Sequence, residues 1–121
     1  MTSTPRTITF DCADPQSQAS FWSQVVGREV DEQGNEHVAS IGLWNEDPGG
    51  RLALLFLRVP ETKAAKNRVH IDLGCDDRSA EVARLVELGA AHVEDHDEWG
   101  ISWSVLTDPE GNEFCVAGPH P

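Results

Sequence analysis

The same order of signals runs through this chain twice, and that constrains its fold more than anything else in it. From Thr7 to Cys12, Ile8, Phe10 and Cys12 alternate with Thr7, Thr9 and Asp11. Period two predicts a strand with one apolar and one polar face. Asp14-Pro15 follows, an N-cap and then a proline at the first helical position. Ala19, Trp22, Val25 and Val26 share one helical stripe, and Gly27 closes the helix. The pattern restarts with Val69, Ile71, Leu73 and Cys75 set against His70 and Asp72. Asp76-Asp77 then caps a second helix carrying Val82, Leu85 and Val86, closed by Gly89. Asp14 and Asp77 are 63 positions apart (77 − 14 = 63), and the same offset carries Ile8 onto Ile71, Phe10 onto Leu73 and Cys12 onto Cys75.

Each helix is followed by strand signals. In the first half these are a short strand at Arg28–Asp31, then His37–Trp44 and Leu52–Val59 as a hairpin around Asn45–Gly50. In the second half they are Ala91–Glu94, Ile101–Leu106 and Glu113–Ala117, the last two joined by the turn Asp108–Asn112. The reading is one α+β domain over residues 1–121, built from two βαβββ modules at about residues 6–59 and 69–117. One amphipathic helix covers only one face of a four-stranded sheet, so the other face must meet something. Two such sheets, helices outside, predict a half-open barrel-like curved sheet with a cleft. Alternation lines that cleft with Thr7, Thr9, Asp11, His70 and Asp72. On the last strand Glu113 and Cys115 point inward, while Phe114 and Val116 suit the helix side.

Composition removes whole classes of function. Nine Lys and Arg against 21 Asp and Glu give a formal charge of −12, the wrong sign for a nucleic-acid footprint or an anionic membrane surface. No apolar run approaches the roughly 20 residues of a membrane span. The polar start, Met1–Arg6, does not read as a signal peptide. Cys12, Cys75 and Cys115 form no CxxC pair, which argues against a zinc knuckle and for reduced thiols in a cytoplasmic protein.

Four segments resemble the vicinal oxygen chelate superfamily, in particular its glyoxalase-like and bleomycin-resistance group. They are Asp14-Pro15 with Phe21-Trp22 and Val26-Gly27; Arg58–Glu61; Lys66–Asp72; and Asp108–Val116. The resemblance implies the half-open fold found above from the repeat. It leaves the activity open, because this fold hosts isomerases, lyases, dioxygenases and drug-binding proteins. Metal-dependent members hold an ion with four side chains, and by position these fall at Thr7, near Leu57, at His70 and at Cys115. His70 is a normal ligand, Thr7 and Leu57 are not, and Cys115 replaces the usual Glu. The expectation is therefore a cleft with no metal and no cofactor.

His70 and Asp72 lie two apart on one strand and face the same way, as a general acid/base pair or a structural pair. They are the catalytic candidates. Thr7, Thr9, Asp11, Trp103, Glu113 and Cys115 are the candidates for substrate contact. Bland readings stand beside these: Glu113 bonds the adjacent turn, Cys115 fills space, and Trp103 packs into a core. His92 and His96, among Glu94, Asp95, Asp97 and Glu98, read as a solvated acidic loop. The expected function is a metal-independent lyase or isomerase acting on a small carbonyl or enolisable compound. The alternative is sequestration of an aromatic or cationic compound, and a metal-dependent lyase ranks last. Open sheet edges and the superfamily's habit predict a homodimer with a small-molecule ligand.

Overall fold

The structure, a computed structural model, describes residues 1–119. It separates into two units, Met1–Thr62 and a second beginning at Lys63.

In the first unit β1 (Thr7–Cys12) is followed by α1 (Pro15–Val26). The Asp14 carboxylate accepts the Ser17 N–H at 3.1 Å, and Gly27, at φ 68°, turns the chain out of the helix with its N–H on the Ser23 carbonyl. β2 (Val38–Ile41) and β3 (Ala53–Arg58) form the predicted hairpin. β3 is central, parallel to β1 and antiparallel to β2. That position explains its unbroken apolar letters: Leu54 and Phe56 are buried on one face, and on the other Ala53 is buried while Leu55 and Leu57 are half-buried. Beneath α1, Phe10 stacks on Phe56 at 5.0 Å and tilts against Trp22 at 5.2 Å, and Trp22 meets Phe21 edge-on at 5.5 Å. Rings at these separations contribute beyond the apolar area they bury.

The second unit runs β4 (Ile71–Gly74), α2 (Arg78–Leu88), β5 (Ala91–Glu98), β6 (Ile101–Thr107) and β7 (Glu113–Ala117), with strand order β4-β7-β6-β5. Asp77 caps α2 as Asp14 caps α1, accepting the Ala80 N–H at 3.1 Å. The buried side is made by Leu85 from α2 with Leu106, Phe114 and Val116 from the sheet. Both units pair their first strand in parallel with their last, and the pairs Ile8↔Leu54 and Ile71↔Phe114 are equivalent. The fold is thus α+β, with two helices and seven strands in two mixed sheets, neither closed on itself.

Three expectations need correction. Arg28–Asp31 makes no strand, so the first unit is βαββ. Asp31 keeps one ladder-like bond, from its N–H to the Ser40 carbonyl at 2.8 Å, but its carboxylate is engaged in holding the next loop. It accepts from Ser40 Oγ at 2.7 Å, from the N–H groups of Gly42, Leu43 and Trp44, and from Asn45 Nδ2. The segment around His92 and His96 is strand throughout, with a bulge between His92 and Glu94 that keeps it in register with β6. Val86, placed on the buried stripe of α2, is 43% exposed, because the shorter apolar face of this helix reaches the sheet mainly through Leu85.

Candidate functional site

The non-helical face of the second sheet gathers the chemistry. In the β4–β7 ladder Asp72 is opposite Cys115, and Cys115 is opposite Val105 of β6, so these side chains form one row. His70 precedes β4 by one residue and leans back onto the same row, with Nε2 3.2 Å from Asp72 Oδ1. The imidazole nitrogen of His70, a carboxylate oxygen of Asp72 and Sγ of Cys115 all lie within 4.8 Å of one another. His70 and Asp72 are open to solvent, whereas Cys115 is only 8% exposed. Burial, the Asp72 charge and a hydrogen bond to that carboxylate push the Cys115 thiol up, against a smaller opposing pull from Lys66. At neutral pH the sulfur keeps its proton unless something takes its place.

Glu113 faces the same way, two residues before Cys115, but its oxygens are occupied. Lys63 Nζ stands 3.0 Å away and the Asn67 N–H donates at 3.0 Å. Those two bonds, the Asn67 one foremost, hold the Glu113 carboxyl below its ordinary range in spite of some burial. Lys63 also donates to the Ala65 carbonyl. Glu113 thus ties down the segment that delivers His70.

Trp103 lies on this face too, opposite Ala117, two residues along β6 from Val105 and so roughly 7 Å farther on. Its ring stacks on His96 at 5.1 Å and on Trp99 at 6.2 Å. Neither His96 nor Trp99 stood among the site candidates. The period-two lettering of ISWSVL signals the face of Trp103, but the bulge hides the face of His96. It also separates the two histidines. His92 pairs with Leu106 on the helix side and bonds Asp95 at 2.8 Å, while His96 pairs with Trp103 on the open side.

In the first unit Thr7, Thr9 and Asp11 share the face of β1 away from α1, and their lateral neighbours are Ala53, Leu55 and Leu57. Among the described residues, the one grouping of three ligand-capable His, Cys, Asp or Glu side chains is the one in the second unit. A cavity of about 530 Å³ in the first unit is lined by Arg28, Asp47 and Arg51 among others. There Arg51 Nε already bonds Asp47 at 2.8 Å, and the ion pair depresses the Asp47 carboxyl.

The family model of the glyoxalase-like domain matches residues 7–117, nearly the whole chain. The chain belongs to the glyoxalase-like domain family. No curated protein sequence matches it. The glyoxalase-like chain is similar in fold to a glyoxalase/bleomycin resistance protein/dioxygenase family enzyme from Burkholderia phytofirmans. Identity is 19% over 93% of this chain and 95% of the other, with a TM-score of 0.72. It is similar to the fosfomycin resistance protein FosX from Listeria monocytogenes (13% identity, 98% and 95% covered, TM-score 0.73). It is also similar to TnmS3, an antibiotic binding protein from a Streptomyces species (21% identity, 98% and 97% covered, TM-score 0.69). The glyoxalase-like fold of the vicinal oxygen chelate superfamily is therefore shared, at identities that carry the fold alone.

Metal-dependent members of this superfamily need a divalent ion, and the donors here can be tested against it. Thr7 and Leu57, at two of the four resembling positions, offer no usable ligand atom. His70 and Cys115 do, and Asp72 stands between them. Nitrogen, oxygen and sulfur from three residues, with a solvent-facing side left open, fit a three-ligand zinc-type centre. The expectation of a metal-free cleft counted Thr7, Leu57, His70 and Cys115 and left Asp72 out.

Proposed function

We propose that this glyoxalase-like protein is a lyase or isomerase for a small carbonyl or enolisable compound. It works on the open face of its second unit, and His70 moves the proton. The convergence of His70, Asp72 and Cys115 on that face carries the reading. With Nε2 held toward Asp72, Nδ1 is the nitrogen free to accept a proton from carbon next to a carbonyl. The Asp72 carboxylate orients the ring and offsets the charge of the imidazolium that forms. The neutral Cys115 thiol, whose proton burial retains, is a weak donor for the substrate oxygen. Were a divalent ion held by His70, Asp72 and Cys115 instead, it would supply the polarisation of that oxygen in place of the thiol, and His70 would be a ligand rather than the base.

Replacing His70 with Ala tests this. Across a panel of α-hydroxycarbonyl compounds and hemithioacetals, turnover is expected to fall about 10²–10⁴-fold. Ligand affinity, read by tryptophan quenching, should change little. Quenching by tight ligands with no product from any of them would overturn the enzyme reading.

That outcome would favour a second reading, sequestration of a flat aromatic compound. Its support is the ring stack of His96, Trp103 and Trp99 on the same face, with Trp99 85% exposed and Glu94 3.1 Å from His96. The antibiotic-binding relative shows that the fold supports such a role. We also infer a homodimer in a reducing, cytoplasmic setting. The free thiols of Cys12, Cys75 and Cys115 and the edge strands β1, β2, β4 and β5 support it, and light scattering on purified protein checks the dimer.

A further inference from the structure

We propose that the open face of the second unit selects carbonyl compounds that carry an anionic group, and that Lys66, supported by the charge of Arg68, reads that group. This names the substrate class of the site described above and so rests on that reading. The unit is rich in Asp and Glu, and its basic residues are Lys63, Lys66, Arg68, Arg78 and Arg84. Where acids are in surplus, every cation has carboxylates to choose from. Lys63 stands 3.0 Å from Glu113, Arg84 Nε stands 2.7 Å from Glu81, and Arg78 acts on Asp95. Lys66 and Arg68 are exposed and enter no ion pair among the described residues.

The place of these two charges in the chain ties them to the site. They lie four and two residues before His70. Asn67, between them, donates its N–H to Glu113 Oε1 at 3.0 Å, and its side-chain amide reaches the Glu113 carbonyl at 3.5 Å. Glu113 is two residues before Cys115 on the same face of β7. Lys66 is thus held at the end of the row formed by Asp72 and Cys115, near enough for its charge to act on the Cys115 sulfur. Lys63 offsets the charge of Glu113, and the protonated thiol adds none. The remaining acid is Asp72, which faces His70 at 3.2 Å. Once His70 has taken a proton that pair is neutral, and Lys66 and Arg68 are the charge left over. An ammonium is a point charge with three rotatable donors, so it takes a carboxylate or a phosphate alike. The acidic surface elsewhere repels the same anion, which fixes its orientation on the face. The anionic group points toward residues 66–68 and the carbonyl toward His70 and Cys115.

Two matched pairs of compounds test the proposal: acetoacetate against its methyl ester, and dihydroxyacetone phosphate against dihydroxyacetone. Binding is read by tryptophan quenching, and proton abstraction by deuterium exchange next to the carbonyl in heavy water. In at least one pair the anionic member is expected to bind about tenfold more tightly, and the pair that shows it says whether carboxylate or phosphate is the group. Lys66→Ala should bring that pair to within about twofold, Lys66→Arg should keep most of the preference, and about 1 M salt should remove it from the unmodified chain. Lys66 is exposed, so its replacement leaves the core intact. Equal binding within both pairs, no binding of any of the four compounds, or a preference that survives both Lys66→Ala and high salt would each overturn the proposal. So would slower exchange of both members of a pair by Lys66→Ala at unchanged affinity, which would make Lys66 a stabiliser of the enolate instead. Charge-selective binding without deuterium exchange would leave the anion selection standing and overturn the enzyme. Exchange without charge preference would do the reverse.

Discussion

The two units repeat one topology and use it differently. The first packs its helix over a cluster of four aromatic rings, Phe10, Phe21, Trp22 and Phe56, and the outer face of its first strand carries Thr7, Thr9 and Asp11 beside Ala53, Leu55 and Leu57. The second buries one residue of its helix, Leu85, and the outer face of its first strand carries Asp72, with His70 leaning onto it, beside Cys115. The same alternating strand thus supports a heavy core in one copy and a cluster of ionisable side chains in the other.

The sharpest way to break this contrast is to empty the cores. Trp22→Ala should cost about 3–5 kcal/mol and Leu85→Ala about 2–5 kcal/mol, measured by urea unfolding. Hydrogen exchange should show lost protection in β1 and β3 for the first and in β4 and β7 for the second. Loss of protection across both sheets from either change would mean that the division between the units is not energetic. A smaller effect separates the loops. The Asp31 carboxylate holds the 42–45 loop with five bonds, whereas in the second unit buried Asp108 holds its own turn through Glu110 and Asn112. Asp31→Asn should cost about 1–3 kcal/mol. Burial pushes this carboxyl up, but the bonds from Ser40, Trp44, Leu43 and Asn45 outweigh it and leave the pKa below the ordinary 3.8. A depressed folded pKa means that the stabilisation is complete above the unfolded value and disappears as pH falls through the folded one. The unmodified chain should therefore lose more stability below about pH 4 than Asp31→Asn does. The smallest effect tests what the units share. Asp14→Ala and Asp77→Ala should each cost about 1 kcal/mol, and unequal losses would show that the two caps are not equivalent.

Much of this was legible in the letters. The offset of 63 placed both N-caps, both helices and both first strands, because caps and period-two alternation are local. What escaped depended on partners far along the chain. Arg28–Asp31 has strand-like lettering, but the demands of the 42–45 loop on Asp31 appear only once Ser40 is beside it. The strand through His92 and His96 is written in acidic residues that look like loop, and its bulge reverses the parity that would otherwise put the two histidines on one face. Asp72 was named from its spacing to His70, yet its place beside Cys115 needed the parallel register of β4 and β7. Glu113 was named with Cys115 by parity, but the capture of its oxygens by Lys63 and Asn67 follows from a turn outside any strand.

That parallel register also bears on the order in which the chain acquires its structure. In each unit the first strand bonds the last, Thr7 to Ala53 and Ile71 to Phe114, so neither sheet is finished by hairpins alone. Such long-range pairings are slow to form because closure of the intervening chain must come first. On the ribosome β1 therefore waits, with its apolar edge open, until β3 has emerged, and the first unit can then close before β7 has been made. Each repeat sets its own folding clock, and a pause in synthesis between them would leave one finished sheet rather than two half-built ones.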